Sequence, residues 1–359
     1  MCDREWFSGT LLDWYDRNAR TLPWRIGPAE RAIGKRPDPY HVWLSEIMLQ
    51  QTTVPVVEKY FTRFVSRWPT VHDLASAKDE DIMEAWAGLG YYARARNLVT
   101  SARIVSRDFG GEFPRDVAEL RALPGIGPYT AAAIAAIAFD KPVAVVDGNV
   151  KRVLARLGGS RSIPSGIGEL QRLALGMTPG TRPGDYAQAV MDLGAMVCRP
   201  RAPRCGTCPW TSRCAAHAAG SPENFAVRNP PQRGPERKGI AYVAIREDGA
   251  VLLERRPSRG LLGGTLGWPG SAWSESGVPQ APPCRANWRR LDRRVRHRFT
   301  HFDLLVEVMK ADVPLGCSPD RGFFVDRSAF SSAQLPTVMR KIWDLAASSA
   351  EARRPDSIP

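Results

Sequence analysis

Two glycines separated by one residue constrain this chain strongly, because they stand directly before an alanine-rich run. Residues 123–130 read Leu-Pro-Gly-Ile-Gly-Pro-Tyr-Thr, and residues 131–139 are alanine, isoleucine and a final phenylalanine. Gly125 and Gly127 permit a tight turn, and Pro128 suits the first turn of the helix that the alanines continue. The pattern predicts a hairpin that opens onto a helix N-terminus, where backbone N–H groups favour a phosphate. Taken alone, it is also typical of a purely structural turn between helices.

The composition bounds the class of protein and its partner. The chain has 359 residues, of which 43% are hydrophobic, and a formal net charge of +13. This length accommodates two domains, and the charge favours a polyanionic partner, with nucleic acid ahead of an acidic membrane surface. No apolar run approaches the ~18 residues of a membrane span, and residues 1–7 lack a secretory core. We therefore expect a cytoplasmic bacterial protein that works at the nucleoid and does not bind membranes.

Four of the seven cysteines are clustered with the spacing C-x6-C-x2-C-x5-C. They are Cys198, Cys205, Cys208 and Cys214. In a reducing compartment such a group indicates metal ligation rather than disulfides. Four thiolates suit a cubane iron–sulfur cluster, and spacing physics alone leaves zinc open as the alternative. Cys2, Cys284 and Cys317 show no partner spacing and are interpreted as incidental.

Two acidic residues are candidates for acid–base chemistry. Glu46 lies in a predicted helix over residues 40–52 that is apolar nearly all round. Such neighbours favour a partly buried carboxyl with a raised pKa over a solvated helical glutamate. Asp147 stands where the N-cap of a helix over residues 150–157 is expected, and the simplest interpretation is that cap alone. A carboxylate at a helix N-terminus is also held ionised, which suits a site that stabilises a cation.

The rest of the chain divides into a helical part and a strand-rich part. Residues 88–96 place paired tyrosines beside arginines, which suits an opened base stack, although tyrosines in loops are also common core anchors. Residues 26–39 are rich in glycine, proline and charge and predict a loop, and residues 220–239 predict a linker. Further helices are predicted at 5–25, 54–67, 79–87, 93–108 and 115–122, and strands at 240–245, 251–254 and 302–308.

Together these motifs resemble those of the MutY-type adenine DNA glycosylases of the helix-hairpin-helix superfamily, over nearly the whole chain. The carriers are residues 22–25 (Leu-Pro-Trp-Arg), 45–52, 90–92, the hairpin, 146–150 and the four cysteines. The resemblance implies a mostly α-helical glycosylase domain at 1–219 with an iron–sulfur subdomain, whose cluster loop is 198–214. It also implies a linker at 220–239 and a C-terminal α/β Nudix-like domain at 240–359. Because the cysteine spacing is that of the family, the resemblance implies one [4Fe-4S] cluster rather than zinc.

The family's chemistry assigns roles to individual residues. The resemblance implies a DNA N-glycosylase of base excision repair that flips out adenine mispaired with 8-oxoguanine or guanine in double-stranded DNA. It makes Glu46 the acid that protonates the base, and Asp147 the carboxylate that stabilises the sugar cation. The resemblance also implies that Tyr129 and Asn149 position the site. Endonuclease III-type enzymes carry a Schiff-base lysine at position 129, so the tyrosine predicts a monofunctional enzyme. DNA contacts are implied for Arg25, Gln51, Tyr91, Gly125 and Gly127.

The C-terminal part resembles the module that reads 8-oxoguanine. Phe299, Thr300 and His301 stand where the family usually has Phe-Ser-His. The acidic metal-binding box of Nudix hydrolases is missing after residue 270, so we expect no nucleotide pyrophosphatase activity. We also expect a monomer.

Two other functions are kept as alternatives. They are a thymine-mismatch glycosylase of the same superfamily and a non-catalytic iron–sulfur protein that binds DNA. The presence of both Glu46 and Asp147 argues against the non-catalytic protein. Residues 26–39 form an insert longer than the family usually has, which is interpreted either as an extra phosphate contact or as a loop.

Overall fold

The computed structural model describes residues 2–162, 167–227, 234–257, 260–276, 279–299 and 301–351. The chain divides into two compact units. One comprises residues 1–78 and 96–230, and the other comprises residues 79–95 and 231–359. The domain boundaries expected near residues 219 and 240 stay predictions. In the described part of the chain, no helix is long and apolar enough to cross a membrane.

Helices make up the chain before the sheet. In chain order they are α1 (Cys2–Asn18), α2 (Pro28–Ala32), α3 (Pro39–Leu49), α4 (Val54–Arg67), α5 (Val71–Ser76), α6 (Asp79–Ala85), α7 (Ala93–Asp108), α8 (Val117–Ala122), α9 (Pro128–Phe139), α10 (Gly148–Leu157), α11 (Ile167–Met177), α12 (Pro183–Asp192) and α13 (Ala215–Ala218). A π-helical segment, Leu193–Val197, continues α12.

The alanine helix α9 forms the centre of the first unit, where it packs against α3 and α12. Its residues from Thr130 to Ile137 are all buried. Small side chains allow this close approach, and α12 contributes a glycine of its own. A Cβ on Gly184 would lie 2.5 Å from the Ala136 carbonyl oxygen, so the two helices can meet only with glycine at that position.

The predicted helices at 54–67 and 93–108 are confirmed, whereas the first predicted helix is too long. It was expected in residues 5–25 with its end just before Leu22-Pro23-Trp24-Arg25, but it ends at Asn18. The backbone N–H of Arg20 donates to the Asp192 carboxylate at 3.1 Å, which draws the chain away from the helical ladder. A long-range contact therefore overrides a continuous helical pattern.

The insert at residues 26–39 contains a short helix, α2, rather than only a loop. Gly27 caps it and Pro28 occupies its first turn, as helix starts favour. Arg31 is buried, with ion pairs from its guanidinium to Asp140 and, at 3.2 Å, to Asp185. The buried cation of the insert thus fastens α2 to the ends of α9 and α12.

The second unit contains a seven-stranded mixed sheet among its described residues. The strands are β1 (Glu236–Arg246), β2 (Val251–Arg255), β3 (Leu266–Gly267), β4 (Arg289–Arg290), β5 (Val295–Arg298), β6 (Asp303–Val313) and β7 (Phe323–Val325). Their order in the sheet is β3-β2-β1-β6-β4, with β5 paired to β6 and β7 paired to β2. The central pair, β1 and β6, is parallel. The strands expected at 240–245, 251–254 and 302–308 fall within or next to β1, β2 and β6.

Apolar clusters cover both faces of this sheet. On one face α14 (Thr337–Glu351) packs over it, and the Trp343 ring stacks on Trp268 with centroids 5.5 Å apart. The Trp268 indole N–H also donates to the Met339 carbonyl at 2.9 Å. A second cluster includes Leu252, Val313 and Cys284.

Candidate active site and nucleic-acid contacts

Glu46 lies in α3, a helix that begins behind Asp38, whose carboxylate accepts from the Tyr40 N–H at 2.7 Å. Only 7% of Glu46 is exposed, and the flanking Trp43 and Ile47 are buried with it. The pKa of Glu46 is raised to about 7, chiefly by burial. The nearby Asp147 carboxylate contributes to this rise. A hydrogen bond from Tyr129 and the charge of Arg25 act in the opposite direction. The burial and raised pKa expected from the sequence are confirmed.

Tyr129 reaches Glu46 from the predicted hairpin. Gly125 has φ +79°, which favours glycine, and Gly127 is the N-cap of α9. The turn is held by the Ser101 hydroxyl, which donates to the Pro124 carbonyl at 2.7 Å. Tyr129 therefore enters in the first turn of α9, and its hydroxyl donates to the Glu46 carboxylate. Burial and that carboxylate raise the pKa of Tyr129 well above its ordinary value, so the phenol stays protonated as a donor.

Asp147 is the N-cap of α10 and faces the same site. Its Oδ1 accepts from the Val150 N–H at 2.6 Å, and its Oδ2 accepts from Asn149 Nδ2 at 3.3 Å. Burial raises the pKa of Asp147, while these hydrogen bonds and the charge of Arg152 oppose the rise. The helix N-terminus thus supplies the contacts expected to keep the carboxylate ionised. Burial has the larger effect on the pKa of Asp147, which is raised overall.

Arg152 connects the Asp147–Asn149 turn to the cysteine loop. Its Nη2 donates to Asn149 Oδ1 at 2.9 Å and to the Gly194 carbonyl at 2.7 Å, and its Nε donates to the Cys198 carbonyl at 2.8 Å. A Cβ on Gly194 would lie 2.7 Å from the Asn149 Cβ, so glycine is required there. One guanidinium therefore positions a predicted site residue and a predicted cluster ligand together.

Arg25 is buried and bonded to an aspartate that the sequence analysis did not single out. Its Nη1 donates to Asp192 Oδ2 at 2.7 Å, and Arg20 Nε donates to Asp192 Oδ1 at 2.6 Å. Asp192 is fully buried, at 0% exposure. The DNA contact expected of Arg25 stays a prediction, because in this arrangement its guanidinium is bonded to a buried carboxylate beside Glu46.

The four cysteines of the 198–214 loop line one cavity, together with Arg156 and His217. Arg156 is buried, and its Nη1 lies 3.5 Å from the Cys198 sulfur and donates to the Arg199 carbonyl at 2.6 Å. Burial raises the pKa of the Cys208 thiol to about 11, with further contributions from Cys198 and Cys214. Among the described residues, no group of three or more His, Cys, Asp or Glu side chains could hold a metal ion.

The predicted DNA contacts in the hairpin and at Gln51 are accessible. Gly125 and Gly127 are both exposed, and a Cβ on Gly127 would meet nothing within 4 Å. Gln51 is exposed with φ +60°, and in the second unit Tyr91 is 45% exposed with φ +48°. Residues other than glycine seldom adopt this left-handed backbone, and where they do it is concentrated at functional sites. The DNA contacts of both residues stay predictions.

The second unit places Phe299 and His301 at a cavity of about 240 Å³, which Tyr91 and Leu262 also line. The Phe299 ring stacks on Phe302 with centroids 4.8 Å apart. Thr300 lies outside the described residues. The cavity therefore offers aromatic faces of the kind on which a nucleobase stacks.

Sequence patterns gave no signal for Asp192, Arg152 and Gln188. Gln188 is one helical turn before Asp192 on α12, so the two share a face of the helix. Gln188 is 1% exposed, and its Nε2 has no hydrogen-bond partner in the part of the chain that the structure describes. A buried amide N–H without a protein partner is uncommon, so Gln188 has a donor available for a further hydrogen bond.

Family models match both units of the chain. One, described as an HhH-GPD superfamily base excision DNA repair protein, matches residues 44–174, and a NUDIX domain model matches residues 241–345. The chain is 36% identical over 400 residues to the adenine DNA glycosylase of Homo sapiens, covering 94% of this chain and 73% of that protein. It is 32% identical over 308 residues to the adenine DNA glycosylase of Buchnera aphidicola subsp. Schizaphis graminum, covering 83% of this chain and 85% of that protein.

Among solved structures, the chain is similar to a thermostable thymine-DNA glycosylase, with a TM-score of 0.54 and 31% identity. That match covers 61% of this chain and 98% of the other. The similarity agrees with a helix-hairpin-helix glycosylase fold, and the second family model agrees with the C-terminal Nudix-like domain. The predicted helix-hairpin-helix glycosylase fold and the C-terminal Nudix-like domain are confirmed, and the iron–sulfur subdomain stays a prediction.

Proposed function

The chain belongs to the adenine DNA glycosylases, and we propose that it excises adenine opposite 8-oxoguanine or guanine by two-carboxylate catalysis without cutting the strand. It is thus a DNA N-glycosylase of base excision repair. The observation that carries the mechanistic proposal is the placement of buried Glu46 near Asp147 in one site, where Tyr129 donates a hydrogen bond to Glu46.

Glu46 supplies the proton in this mechanism. Adenine is a poor leaving group, so cleavage of its bond to deoxyribose requires protonation of the base. With a pKa of about 7, Glu46 is about half in its acid form at neutral pH. Once the proton has moved to the base, the Tyr129 hydroxyl stabilises the carboxylate that remains. That carboxylate can then accept a proton from the attacking water.

Asp147 supplies negative charge to the sugar as the bond breaks. The transition state resembles an oxocarbenium ion, and a carboxylate beside it is attracted to the growing positive charge. The Val150 N–H and the Asn149 amide fix the two oxygens of Asp147 in direction before the reaction begins. Such preorganised charge in a buried site is a large catalytic term.

The tyrosine at position 129 supports a reaction that stops at base removal. Strand cleavage in this superfamily needs an amine that forms a Schiff base with the sugar, and a phenol cannot form one. Borohydride should therefore trap no covalent complex of protein and DNA during excision. Rapid trapping would overturn the monofunctional assignment.

Gln188 is a candidate for reading the flipped base. Adenine presents an acceptor at N7 and a donor at N6, and a glutamine amide can pair with both. Gln188 lies one turn from Asp192, on the helix face that holds Arg25, and its Nε2 has no hydrogen-bond partner among the described residues. We propose that this amide contributes to adenine specificity.

We propose that Cys198, Cys205, Cys208 and Cys214 hold one [4Fe-4S] cluster. Their shared cavity and the buried guanidinium of Arg156 support this. In a cubane each cysteine binds a different iron, so the thiols need not converge on one point. When bound, the cluster supplies a rigid, redox-capable centre. Iron and acid-labile sulfide assays on purified protein, and their loss in Cys205→Ser, test the proposal.

The second unit supports recognition of the opposite base. Its aromatic cavity with Phe299 and His301 is suited to a damaged guanine. The thymine-DNA glycosylase covers only 61% of this chain, whereas the human adenine relative aligns over 94%. The C-terminal part thus has its counterpart among adenine enzymes, which favours adenine over thymine as the base removed.

Single-turnover excision kinetics test the proposal. The substrates are duplexes with adenine opposite 8-oxoguanine, guanine or cytosine, and one with thymine opposite guanine, and alkali reveals abasic sites. We expect fast excision opposite 8-oxoguanine, slower excision opposite guanine and none from the other two. Excision of thymine alone, or mismatch binding without excision, would refute the assignment.

A further inference from the structure

Cys284 and Cys317 lie outside the cysteine loop, and the fold of the second unit brings them together. They are 33 positions apart in the sequence. Both pack in one apolar cluster with Leu252 and Val313, and the two thiols interact with each other. Each of these cysteines thus has a partner that sequence spacing does not reveal.

The backbone around both thiols is fixed by hydrogen bonds. The Asp320 N–H donates to the Pro283 carbonyl at 2.7 Å, which ties the segment after Cys317 to the segment before Cys284. The Trp288 indole donates to the Cys284 carbonyl at 3.1 Å. Two thiols that pack in one cluster on segments tethered to each other are placed for the close approach that a disulfide requires.

The two thiols differ in environment. Cys284 is 3% exposed, and burial raises the pKa of its thiol to about 12, with the Cys317 contact contributing. Cys317 is partly exposed. The partly exposed thiol is the one of the pair that an oxidant in solution reaches first.

We propose that Cys284 and Cys317 form a reversible intramolecular disulfide when a peroxide reaches the protein. The Cys317 thiolate attacks one peroxide oxygen, the O–O bond breaks, and the products are a sulfenic acid and, after protonation, water. The Cys284 sulfur then attacks the sulfenic sulfur, and the departing hydroxide takes the Cys284 proton to form a second water. Two thiols are oxidised to one disulfide while one peroxide is reduced to two waters, and a dithiol reverses the reaction by exchange.

The disulfide closes a loop over residues 284–317, which contains β4, β5 and β6. Cross-linking restricts the unfolded chain, so the second unit gains stability. We expect the melting temperature of that unit to rise by about 5–15 °C on oxidation. The excision rate should change little, because Glu46 and Asp147 belong to the first unit.

Peptide mapping of the full-length protein tests the proposal. The protein is treated with a small excess of hydrogen peroxide, free thiols are alkylated, and trypsin then releases residues 260–285 and 311–321 as the peptides that carry the two cysteines. We expect these two peptides to be joined, in material that stays monomeric on a non-reducing gel, and to separate after treatment with dithiothreitol.

Variants make the result specific. Cys317→Ser should abolish both the joined peptide and the thermal shift, whereas Cys2→Ser should leave both intact. In Cys284→Ser, dimedone should label a sulfenic acid at Cys317, since the second thiol is missing. Separate alkylation of both cysteines after peroxide treatment, or their pairing with Cys2, a loop cysteine or a second molecule, would overturn the proposal.

Discussion

Removing the Tyr129 hydroxyl should move the pH dependence of excision to higher pH. In Tyr129→Phe, Glu46 stays buried and beside Asp147, but it loses the hydrogen bond that lowers its pKa. A hydrogen bond to a charged group contributes about 1.5–3 kcal/mol, and 1.36 kcal/mol corresponds to one pKa unit. The pKa of Glu46 should therefore rise from about 7 to about 8–9.

The sign follows from the role of Glu46 as the acid. Excision falls as the carboxyl ionises, so a higher pKa keeps the variant active further into the alkaline range. For a pKa of about 7, the fraction in the acid form falls about 50-fold between pH 7 and pH 9. For a pKa of about 8–9, the same fraction falls only about 2- to 10-fold. The variant can be slower at every pH and still show this flatter profile.

Single-turnover excision with saturating enzyme, measured from acidic to alkaline pH, gives the profile without interference from binding. Tyr40→Phe is the matched control, because it removes another buried hydroxyl. Tyr40 lies in α3, the helix that carries Glu46, and its hydroxyl donates to the Trp68 carbonyl at 2.8 Å. Its alkaline limb should match that of the unchanged protein. An alkaline limb that stays in place or moves to lower pH in Tyr129→Phe would refute the assignment of Glu46 as the acid tuned by Tyr129.

Further substitutions test the remaining assignments. Glu46→Gln should reduce excision by about 10²- to 10⁴-fold with mismatch binding kept. The same variant should be more stable than the unchanged protein at pH 8 by about 3 kcal/mol in urea unfolding. The reason is that the pKa of Glu46 in the folded state, about 7, exceeds its ordinary value of 4.5. Between these pH values the carboxyl ionises more readily in the unfolded chain, which favours unfolding of the unchanged protein but not of the variant. A stability difference between the two proteins that does not depend on pH would contradict this. Arg152→Leu should lower excision and cluster retention by about 10- to 100-fold, measured by kinetics and visible absorbance, and Lys151→Leu on the same helix should not. Gln188→Leu should slow adenine excision by about 5- to 150-fold, corresponding to about 1–3 kcal/mol, and an unchanged rate would exclude the amide from base recognition. Arg31→Met should lower the melting temperature by about 6–20 °C, because it breaks a buried ion-pair group, with DNA affinity nearly unchanged if the insert is structural.

Local patterns predicted the parts of the site that local physics determines. The apolar neighbours of Glu46 predicted its burial, and the expected burial predicted its raised pKa. The glycine pair and Pro128 gave the hairpin and the start of α9. The position of Asp147 gave its role as a helix cap.

Long-range partners could not be predicted in this way. Asp192 bonds Arg25 across 167 positions, and Arg152 bonds Cys198 across 46. Nothing in the sequence near Arg25 indicates a buried carboxylate, and the family resemblance implied a DNA contact instead. The helical pattern over residues 5–25 likewise gave no sign that Arg20 would leave the helix for Asp192. Pairing of this kind depends on how helices pack, which single-sequence periodicity does not carry.

The π-helical segment Leu193–Val197 separates the carboxylate that holds Arg25 from the first cysteine of the loop. A π-helical turn accommodates one more residue than an α-helical turn. The extra residue is thus taken up within this turn without rotating the residues that follow it. One further inserted residue would rotate everything beyond it by about 100° relative to Asp192. Either Asp192 or Cys198 would then point away from its present partners. The number of residues between them is therefore a geometric specification, and further insertions should be tolerated less here than substitutions are.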